Sequence, residues 1–291
     1  MSDTSEDVQL VNVETGAAPP DDGLRIQAGG YLLELSLDWI VRRASQNIDG
    51  FLGKSHVVLI EEPLGRFVQA QALHDLRNLF SRLSGTTGIA RAYRVRLTHD
   101  QDLFDIAFQL VDGRVLVEAV PSADEWVGQA LGTVGGLAAG LAGLSGQALL
   151  DAAARRMRAL TGYDRVTLNW AGQRAESSRG NFTAPARPLA ELPPIVGDGE
   201  GGTVGLFPRG RGDLAAGAAL LRAPSDAMRT GLSEQQVCAA MRVAFVAGGQ
   251  QGEFRADSLT RRVPGFELHA AAELFAQMFA MRAEMAGADR V

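Results

Sequence analysis

The residue types that most often carry chemistry are sparse in this chain and do not form a recognisable set. The four histidines are His56, His74, His99 and His269, and none stands at metal-ligand spacing from another or from the single cysteine, Cys238. A structural zinc site needs several such ligands. The sequence therefore predicts no metal site, with haem ligation by one histidine as the alternative.

Other motifs that could support catalysis lack the context that catalysis needs. The glycine cluster Gly197-x-Gly199-x-Gly201-Gly202 neither follows a clear buried strand nor opens a helix, so we interpret it as a flexible loop, not a phosphate cradle. Ser177-Ser178 lacks the Gly-x-Ser-x-Gly setting of a nucleophile elbow. Because nothing assembles a nucleophile, a base and an oxyanion site, we predict that the protein is not an enzyme.

Composition and charge exclude further classes. The formal net charge is −6, without a Lys/Arg stripe, which argues against direct binding of nucleic acid. No apolar run reaches membrane-spanning length, and the acidic start MSDTSEDVQL lacks the apolar segment of a signal peptide. With a single cysteine, the chain cannot form an intrachain disulfide. We therefore expect a cytoplasmic protein without a transmembrane segment.

The elements that would position any site begin with a small α+β domain. Two short strands are predicted over Tyr31–Leu35 and Ile40–Ala44, followed by a short helix over Ser45–Leu52. Apolar residues then recur at helical spacing over Leu64–Leu83. Alternating runs on both sides of Asp112-Gly113 predict a β-hairpin. We expect five strands with helices on one face.

The second part opens with a connector rich in Gly, Ala and Leu, which we expect to form a helix packed closely against a neighbour. A further helix is predicted from an N-cap at Ser145 to Gly162. Its apolar face consists of Leu149, Leu150, Ala153, Met157 and Leu160. A strand over Val166–Trp170 precedes a long segment, Ala171–Leu214, that is predicted to be mostly loop. A second hairpin is predicted around Gly248-Gly249.

The last helix begins at Pro264 and is apolar on two stripes. One stripe contains Phe266, Ala270, Leu274, Met278, Met281 and Met285, and the other contains Phe275 and Phe279. A helix with two apolar stripes needs two neighbours, and one of them can belong to a second subunit. We therefore predict a homodimer or a protein partner that contacts this helix. The candidate contact residues are Phe275, Met278, Phe279 and Met281.

These patterns divide the chain into an N-terminal flexible arm, a first domain, a helical connector, a second domain and a tail. The corresponding residues are 1–23, 24–122, 123–144, 145–286 and 287–291. The predicted fold class is α+β, with an antiparallel sheet and flanking helices in each domain.

Short motifs in both domains resemble bacterial phytochromes. Ile26-Gln27, Gly30, Ala44-Ser45-x-Asn47 and Leu52-Gly53 resemble the first domain (PAS) of that family. The segment Leu160–Val166 looks like the opening of the phytochrome GAF domain, and Val263–Phe279 resembles its closing helix. The resemblance touches most of residues 24–283 and implies a PAS-like domain followed by a GAF-like domain.

The family senses red light with a bound linear tetrapyrrole, and this sequence departs from it at the residues that hold the pigment. Val13 stands where bacterial members carry the attachment cysteine, and a valine has no nucleophile. The family's tyrosine and ring-facing histidine match Asn169 and Met228, and its Asp-Ile-Pro loop matches Ala184–Arg187. Arg222 matches a propionate-binding arginine. We expect no counterpart of the family's third domain (PHY) or kinase output.

The resemblance thus implies a degenerate phytochrome-like protein without a cofactor, acting as a dimeric interaction or regulatory scaffold in signalling. Its partner is not identified by the sequence. The alternative is a sensor that binds biliverdin, haem or another small ligand noncovalently in the GAF pocket, with Arg222 as the candidate ligand contact.

Overall fold

The computed structural model describes residues 24–82, 88–99, 102–122, 129–189, 191–209 and 217–288. The predicted arm, with Val13, lies outside these residues, as do parts of the connector and of the tail. None of the helices among the described residues is long and apolar enough to span a bilayer.

The first domain contains most of a seven-stranded antiparallel sheet, with helices packed on it. Its strands β1 to β6 are Arg25–Gln27, Tyr31–Leu35, Val41–Ser45, Ile89–Val95, Phe104–Val111 and Arg114–Pro121. Its helices α1 to α3 are Asp49–Leu52, His56–Leu59 and Ala70–Ser81, with a 3-10 turn at Leu64–Arg66. The predicted hairpin around Asp112-Gly113 is confirmed, because both residues have positive φ and connect β5 to β6.

The predicted helix over Leu64–Leu83 is shorter than expected. Pro63 is extended, a 3-10 turn occupies Leu64–Arg66, and α3 starts only after the extended Gln69. Leu73 and Leu76 then face the core, where the buried side chains of Trp39, Phe104 and Phe108 cover one face of the sheet. The predicted helix end at Leu83 and Gly85 lies outside the described residues.

The second domain packs two helices against one face of a five-stranded sheet with the order β8-β7-β12-β11-β9, and a third helix packs on those two. Its strands β7 to β12 are Arg165–Trp170, Gln173–Ser178, Ile195–Val196, Thr203–Phe207, Ala239–Ala247 and Gln250–Ser258. Its helices, with the connector helix first, are α4 Gln129–Ala139, α5 Gly146–Thr161, α6 Asp226–Glu234 and α7 Phe266–Ala288. The segment Ala171–Leu214, which was predicted to be mostly loop, contains the short strands β8, β9 and β10.

Several local predictions for this domain are confirmed. The apolar face predicted for α5 is buried, and the helix ends at Gly162 with φ 66°. Ser145 is the N-cap residue, although its side chain makes no capping hydrogen bond. The connector forms α4, which packs against α7 and α5 and buries Val134. The hairpin around Gly248-Gly249 is present as β11 and β12, with positive φ at both glycines.

Strand β1 joins the two domains, because the second domain contacts it along both edges. On one edge β1 pairs with β10, with Arg25 opposite Gly205 and Gln27 opposite Thr203. On the other edge the backbone N–H of Gln27 donates to the carbonyl oxygen of Leu221 at 3.0 Å. β10 also pairs with β3, which extends the first sheet with a strand of the second domain. We call the described residues 195–209 and 217–223, which include these contacts, the clasp.

Two buried side chains attach the clasp to the first domain. The side-chain nitrogen of Gln27, Nε2, donates to the Ile195 carbonyl oxygen at 2.6 Å. The side-chain oxygen, Oε1, accepts from the backbone N–H of Gly197 at 2.8 Å. On β6, the carboxylate of Glu118 accepts from the amides of Leu220 and Leu221 at 2.9 and 2.8 Å. These two side chains therefore supply partners for four backbone groups of the clasp, at Ile195, Gly197, Leu220 and Leu221.

Burial raises the pKa of the Glu118 carboxyl. Desolvation raises the pKa of this carboxyl to about 7, although hydrogen bonds from Leu221, Leu220 and Gln109 act in the opposite direction. Because the folded pKa exceeds the usual 4.5, the folded state binds this proton more tightly than the unfolded chain. Protonation of Glu118 therefore stabilises the folded state, and this stabilisation is fully present below about pH 4.5. It is lost as the pH rises through about 7, which lowers the free energy of unfolding by roughly 3 kcal/mol.

We predict that Glu118→Gln removes this pH dependence. Between about pH 5 and pH 8, the free energy of unfolding of wild type should fall relative to that of the variant by roughly 3 kcal/mol. Denaturant unfolding across that range measures the difference. The control is Glu234→Gln, since Glu234 is exposed on α6. Parallel pH profiles for wild type and Glu118→Gln would contradict the assignment.

Candidate functional site

The face of the second sheet that points away from the three helices is polar. Along β7, Arg165, Thr167 and Asn169 alternate with the core residues Val166 and Leu168. Their cross-strand neighbours on β12 are Asp257, Arg255 and Glu253, and those on β8 are Ser178, Glu176 and Arg174. The antiparallel register therefore brings charged side chains from three strands onto one surface, which we call the polar face.

A loop at residues 182–189, the covering loop, lies on this face and is held by arginines. The guanidinium of Arg165 on β7 donates to the Ala184 carbonyl oxygen at 2.9 Å. Those of Arg174 on β8 and Arg255 on β12 donate to the carbonyl oxygens of Ala186 at 3.0 Å and Arg187 at 2.6 Å. Each strand thus contributes one charged donor to the backbone of the loop.

The end of α6 and an aromatic ring hold the same loop. The side-chain oxygens of Gln235 and Gln236 accept from the backbone amides of Arg187 at 2.8 Å and Thr183 at 3.1 Å. The guanidinium of Arg165 also lies 4.0 Å from the centre of the Phe182 ring, a cation–π contact. The covering loop is therefore fixed along its length on the polar face.

Asp257 organises the arginines beneath the loop. Its carboxylate is fully buried and accepts from Arg165 at 3.1 and 2.9 Å and from Arg255 at 2.7 Å. Arg165 and Arg255 are themselves 1% and 3% exposed. Removing the single carboxylate would leave two desolvated cations side by side, which is why breaking such a buried cluster is costly.

Little free space remains under the covering loop. A void of about 10 Å³ is lined by residues that include Thr167, Asn169, Ala186 and Arg255. This is about the space that one water molecule needs. Beyond Pro188 the polar face opens into a surface groove of about 620 Å³, where Arg242 pairs with Glu253 across β11 and β12.

A second cleft of about 660 Å³ lies beside the clasp and contains the candidate ligand contact Arg222. Met228, Arg25 and Arg229 also line it, near the start of α6. The Arg222 guanidinium donates to the Glu191 carbonyl oxygen at 2.6 Å, which fixes the side chain at the rim. Ser225 caps α6 by accepting from the Met228 amide.

The structure separates the residues that the sequence had grouped as one pocket. Arg222 and Met228 share the cleft beside the clasp, whereas Asn169 lies on the polar face at the edge of the groove. The segment Ala184–Arg187 belongs to the covering loop. Val13 lies outside the described residues.

One histidine, His269, makes a buried contact between the domains. His269 is buried between the domains, where its Nδ1 lies 3.1 Å from the Arg91 guanidinium and its Nε2 lies 3.3 Å from the Arg242 carbonyl oxygen. Burial lowers the pKa of His269, so the ring is neutral near pH 7. Within the described ranges, no group of three or more His, Cys, Asp or Glu side chains is placed to hold a metal ion.

The partner surface predicted on the last helix needs a correction. Phe275 and Phe279 are fully buried in their own domain, where they contact Phe254, Phe245 and Trp170. The prediction that they contact a partner was wrong, because the sheet, α4 and α5 supply both neighbours of α7. Met278 packs partly on the same core, and Met281 is 66% exposed.

Four residues central to these contacts had no role assigned from the sequence. Gln27 and Arg165 lie within the family motifs, whereas Glu118 and Asp257 belong to no motif. The alternation of polar residues along β7 was a signal that this sheet has a polar face. The pairing of Arg165 with Asp257 had no such signal, because 92 positions separate them in the chain.

We predict that Asp257→Asn destabilises the protein by about 3–5 kcal/mol, because it leaves Arg165 and Arg255 without their buried counter-charge. Thermal or denaturant unfolding measures the loss. Glu176→Gln is the matched control on the same face, since Glu176 and its partner Arg174 are 37% and 43% exposed. That control should cost less than about 1 kcal/mol. A cost for Asp257→Asn as small as that of the control would refute the role given to the buried cluster.

No protein-family model matches the chain, and no curated protein sequence matches it. Solved structures do resemble it. The chromophore-binding domain of an unusual bacteriophytochrome from R. palustris has a TM-score of 0.74 at 21% identity, over 91% of this chain and 96% of that one. The chromophore-binding domain of a Stigmatella aurantiaca phytochrome has a TM-score of 0.72 at 21% identity, over 88% and 95%.

A longer structure, the photosensory core module of Stigmatella aurantiaca phytochrome, has a TM-score of 0.72 at 20% identity. The match covers 98% of this chain and 62% of that one. At such identities the likeness establishes the fold and not the activity. The chain therefore has the PAS–GAF fold of the bacteriophytochrome chromophore-binding domain, as its sequence motifs predicted.

Proposed function

We propose that this protein is a non-catalytic PAS–GAF module of a signalling system that has lost bilin attachment and acts as a dimeric interaction or regulatory scaffold. The observation that carries the proposal is the covering loop, which leaves about 10 Å³ beneath it on the polar face. Pockets for small ligands enclose about 300–1,000 Å³. A linear tetrapyrrole could reach this part of the face only after the loop had left it.

Displacing the loop is unfavourable in this arrangement. The guanidiniums of Arg165, Arg174 and Arg255 would lose their carbonyl acceptors. Hydrogen bonds to charged groups contribute roughly 1.5–3 kcal/mol each, and buried donors left without partners cost more. A bilin that replaced the loop would have to supply equivalent acceptors.

The attachment chemistry supports the same proposal. Val13 cannot form a thioether, and the only thiol of the chain, Cys238, lies immediately before β11 in the second domain. We therefore propose that the protein carries no covalently attached bilin.

The scaffold role rests on the surface of α7. Leu274, Met281 and Met285 are 41%, 66% and 62% exposed, although they are large apolar residues. We propose that this surface, with Met278, contacts a second copy of the chain or a signalling protein. The exposed positions of α7 replace the buried Phe275 and Phe279 as candidates for that contact.

A second candidate function is favoured by the cleft of about 660 Å³ beside the clasp. Its volume suits a small ligand, and Arg222 stands at its rim as a donor for a carboxylate. In this alternative the protein senses biliverdin, haem or another ligand bound noncovalently, and the clasp would report the binding to the first domain.

Adding biliverdin to the purified protein tests the main proposal. We expect the visible spectrum to remain that of free biliverdin, without a sharp red band and without photoconversion. The same mixture denatured in acid shows whether any pigment has become covalently attached. A red-absorbing, photoconvertible product would refute the loss of bilin binding.

Replacing Arg222 tests the second candidate. If the cleft binds a carboxylate ligand, Arg222→Ala should weaken binding of biliverdin or haem by about tenfold or more, which corresponds to about 1.4 kcal/mol. Arg66→Ala is the control, because Arg66 is exposed on the 3-10 turn of the first domain. Equal dissociation constants for wild type and Arg222→Ala, or binding by neither, would argue against the sensor.

A further inference from the structure

A buried polar contact joins α7 to the edge of the first sheet. It lies beside an apolar cluster in which Phe266, at the start of α7, meets residues of the first sheet and of the clasp. One turn further along α7, His269 is 2% exposed and contacts the guanidinium of Arg91 on β4. Glu273, four residues later, accepts from the same guanidinium at 2.7 Å. We call Arg91, His269 and Glu273 the interdomain cluster.

The surroundings of His269 decide which ring nitrogen carries hydrogen. Nε2 lies 3.3 Å from the carbonyl oxygen of Arg242, which can only accept, so we assign the hydrogen to Nε2. Nδ1 lies 3.1 Å from Nη2 of Arg91, which can only donate, so Nδ1 presents its lone pair. The contact between the domains therefore requires the neutral ring.

A proton on Nδ1 would remove the acceptor that Arg91 uses. Nη2 would then face an N–H group and a second positive charge in a nearly inaccessible place. Among the described residues Nε of Arg91 is buried without a hydrogen-bond partner, so its hydrogen bonds to α7 all come from Nη2. Glu273 would compensate only in part. Its Oε1 lies 3.5 Å from Nδ1, but its Oε2 already serves Arg91.

The other titratable groups near the interdomain cluster do not supply the missing charge. Burial raises the pKa of Tyr93 on β4 to about 12, so this side chain stays neutral in acid, and the carboxylates that act on it include Glu267 and Asp105. Glu118 acts on Arg91 from two strands away in the same row of the sheet. It takes up a proton itself as the pH falls through about 7.

We propose that His269 makes the interdomain cluster an acid-sensitive contact, which holds α7 on the first sheet while the ring is neutral and releases it when Nδ1 takes up a proton. The backbone pairing of β1 with the clasp does not involve this ring, so the domains stay joined while α7 loosens. The contact is separate from the cleft around Arg222 and does not depend on whether that cleft binds a pigment.

Hydrogen exchange of the full chain tests the contact. Exchange of the backbone amides of residues 266–273, corrected for the intrinsic effect of pH, should rise as the pH falls below about 6.5. The rise should reach up to about tenfold per pH unit, because the released ring takes up a proton that the closed contact excludes. His269→Gln should abolish this rise, since glutamine keeps a donor for the Arg242 carbonyl oxygen and cannot become charged.

The control is His74→Gln, which should retain the rise because His74 is exposed on α3. Wild type and His269→Gln both keep Glu118, so the difference between them isolates the histidine. Exchange in wild type that does not rise in acid, or an equal rise in His269→Gln, would overturn the proposal.

Nitrogen-15 NMR of the assigned histidine rings in wild type tests the proposal without a variant, should His269→Gln fail to fold. Near about pH 7, the ring of His269 should be neutral with its hydrogen on Nε2. On acidification, protonation of Nδ1 should coincide with faster exchange of residues 266–273. A hydrogen on Nδ1 near neutral pH, or a ring that becomes charged without any change in that exchange, would be incompatible with the proposed release.

Discussion

The carboxylate of Asp257 is the interaction on which the polar face depends. It is fully buried and accepts hydrogen bonds from both Arg165 and Arg255, so it fixes the direction in which the remaining guanidinium nitrogens point. Those nitrogens meet the carbonyl oxygens of Ala184 and Arg187. The position of the covering loop is thus set from below by a charge cluster and not by apolar packing. A face organised in this way is specific for its own loop, since buried donors accept no partner of the wrong shape.

A comparable use of buried polar groups joins the two domains. Gln27 on β1 and Glu118 on β6 supply the partners for backbone groups of the clasp, which would otherwise be buried without hydrogen bonds. At the other edge of the first sheet, Arg91 of β4 contacts His269 and Glu273 of α7. The two domains therefore share backbone hydrogen bonds at one place and an ionic contact at another. Relative motion of the domains would have to break both.

The sequence predicted the elements whose pattern is local. Alternation and the Asp-Gly and Gly-Gly turns located the hairpins, and helical spacing located α5 and α7. Strands β8, β9 and β10 were missed because they are polar, short or rich in glycine, and their pairing partners lie far away in the chain. The burial of Phe275 and Phe279 was misjudged for a related reason. Two apolar stripes indicate two neighbours, but the pattern does not say whether both belong to the same chain.

The candidate site was less predictable than the fold, and the architecture explains the difference. The apolar core of the second domain lies between the sheet and α4, α5 and α7, where Phe254, Phe275 and Phe279 pack together. The polar face lies on the other side of the same strands. Because side chains alternate between the two sides, a change of residue at a position such as Asn169 on the polar face leaves the core untouched. The fold can therefore persist while the chemistry of the face changes, so a likeness of fold carries no ligand with it. What this face binds is decided by its own charges, which here favour the covering loop.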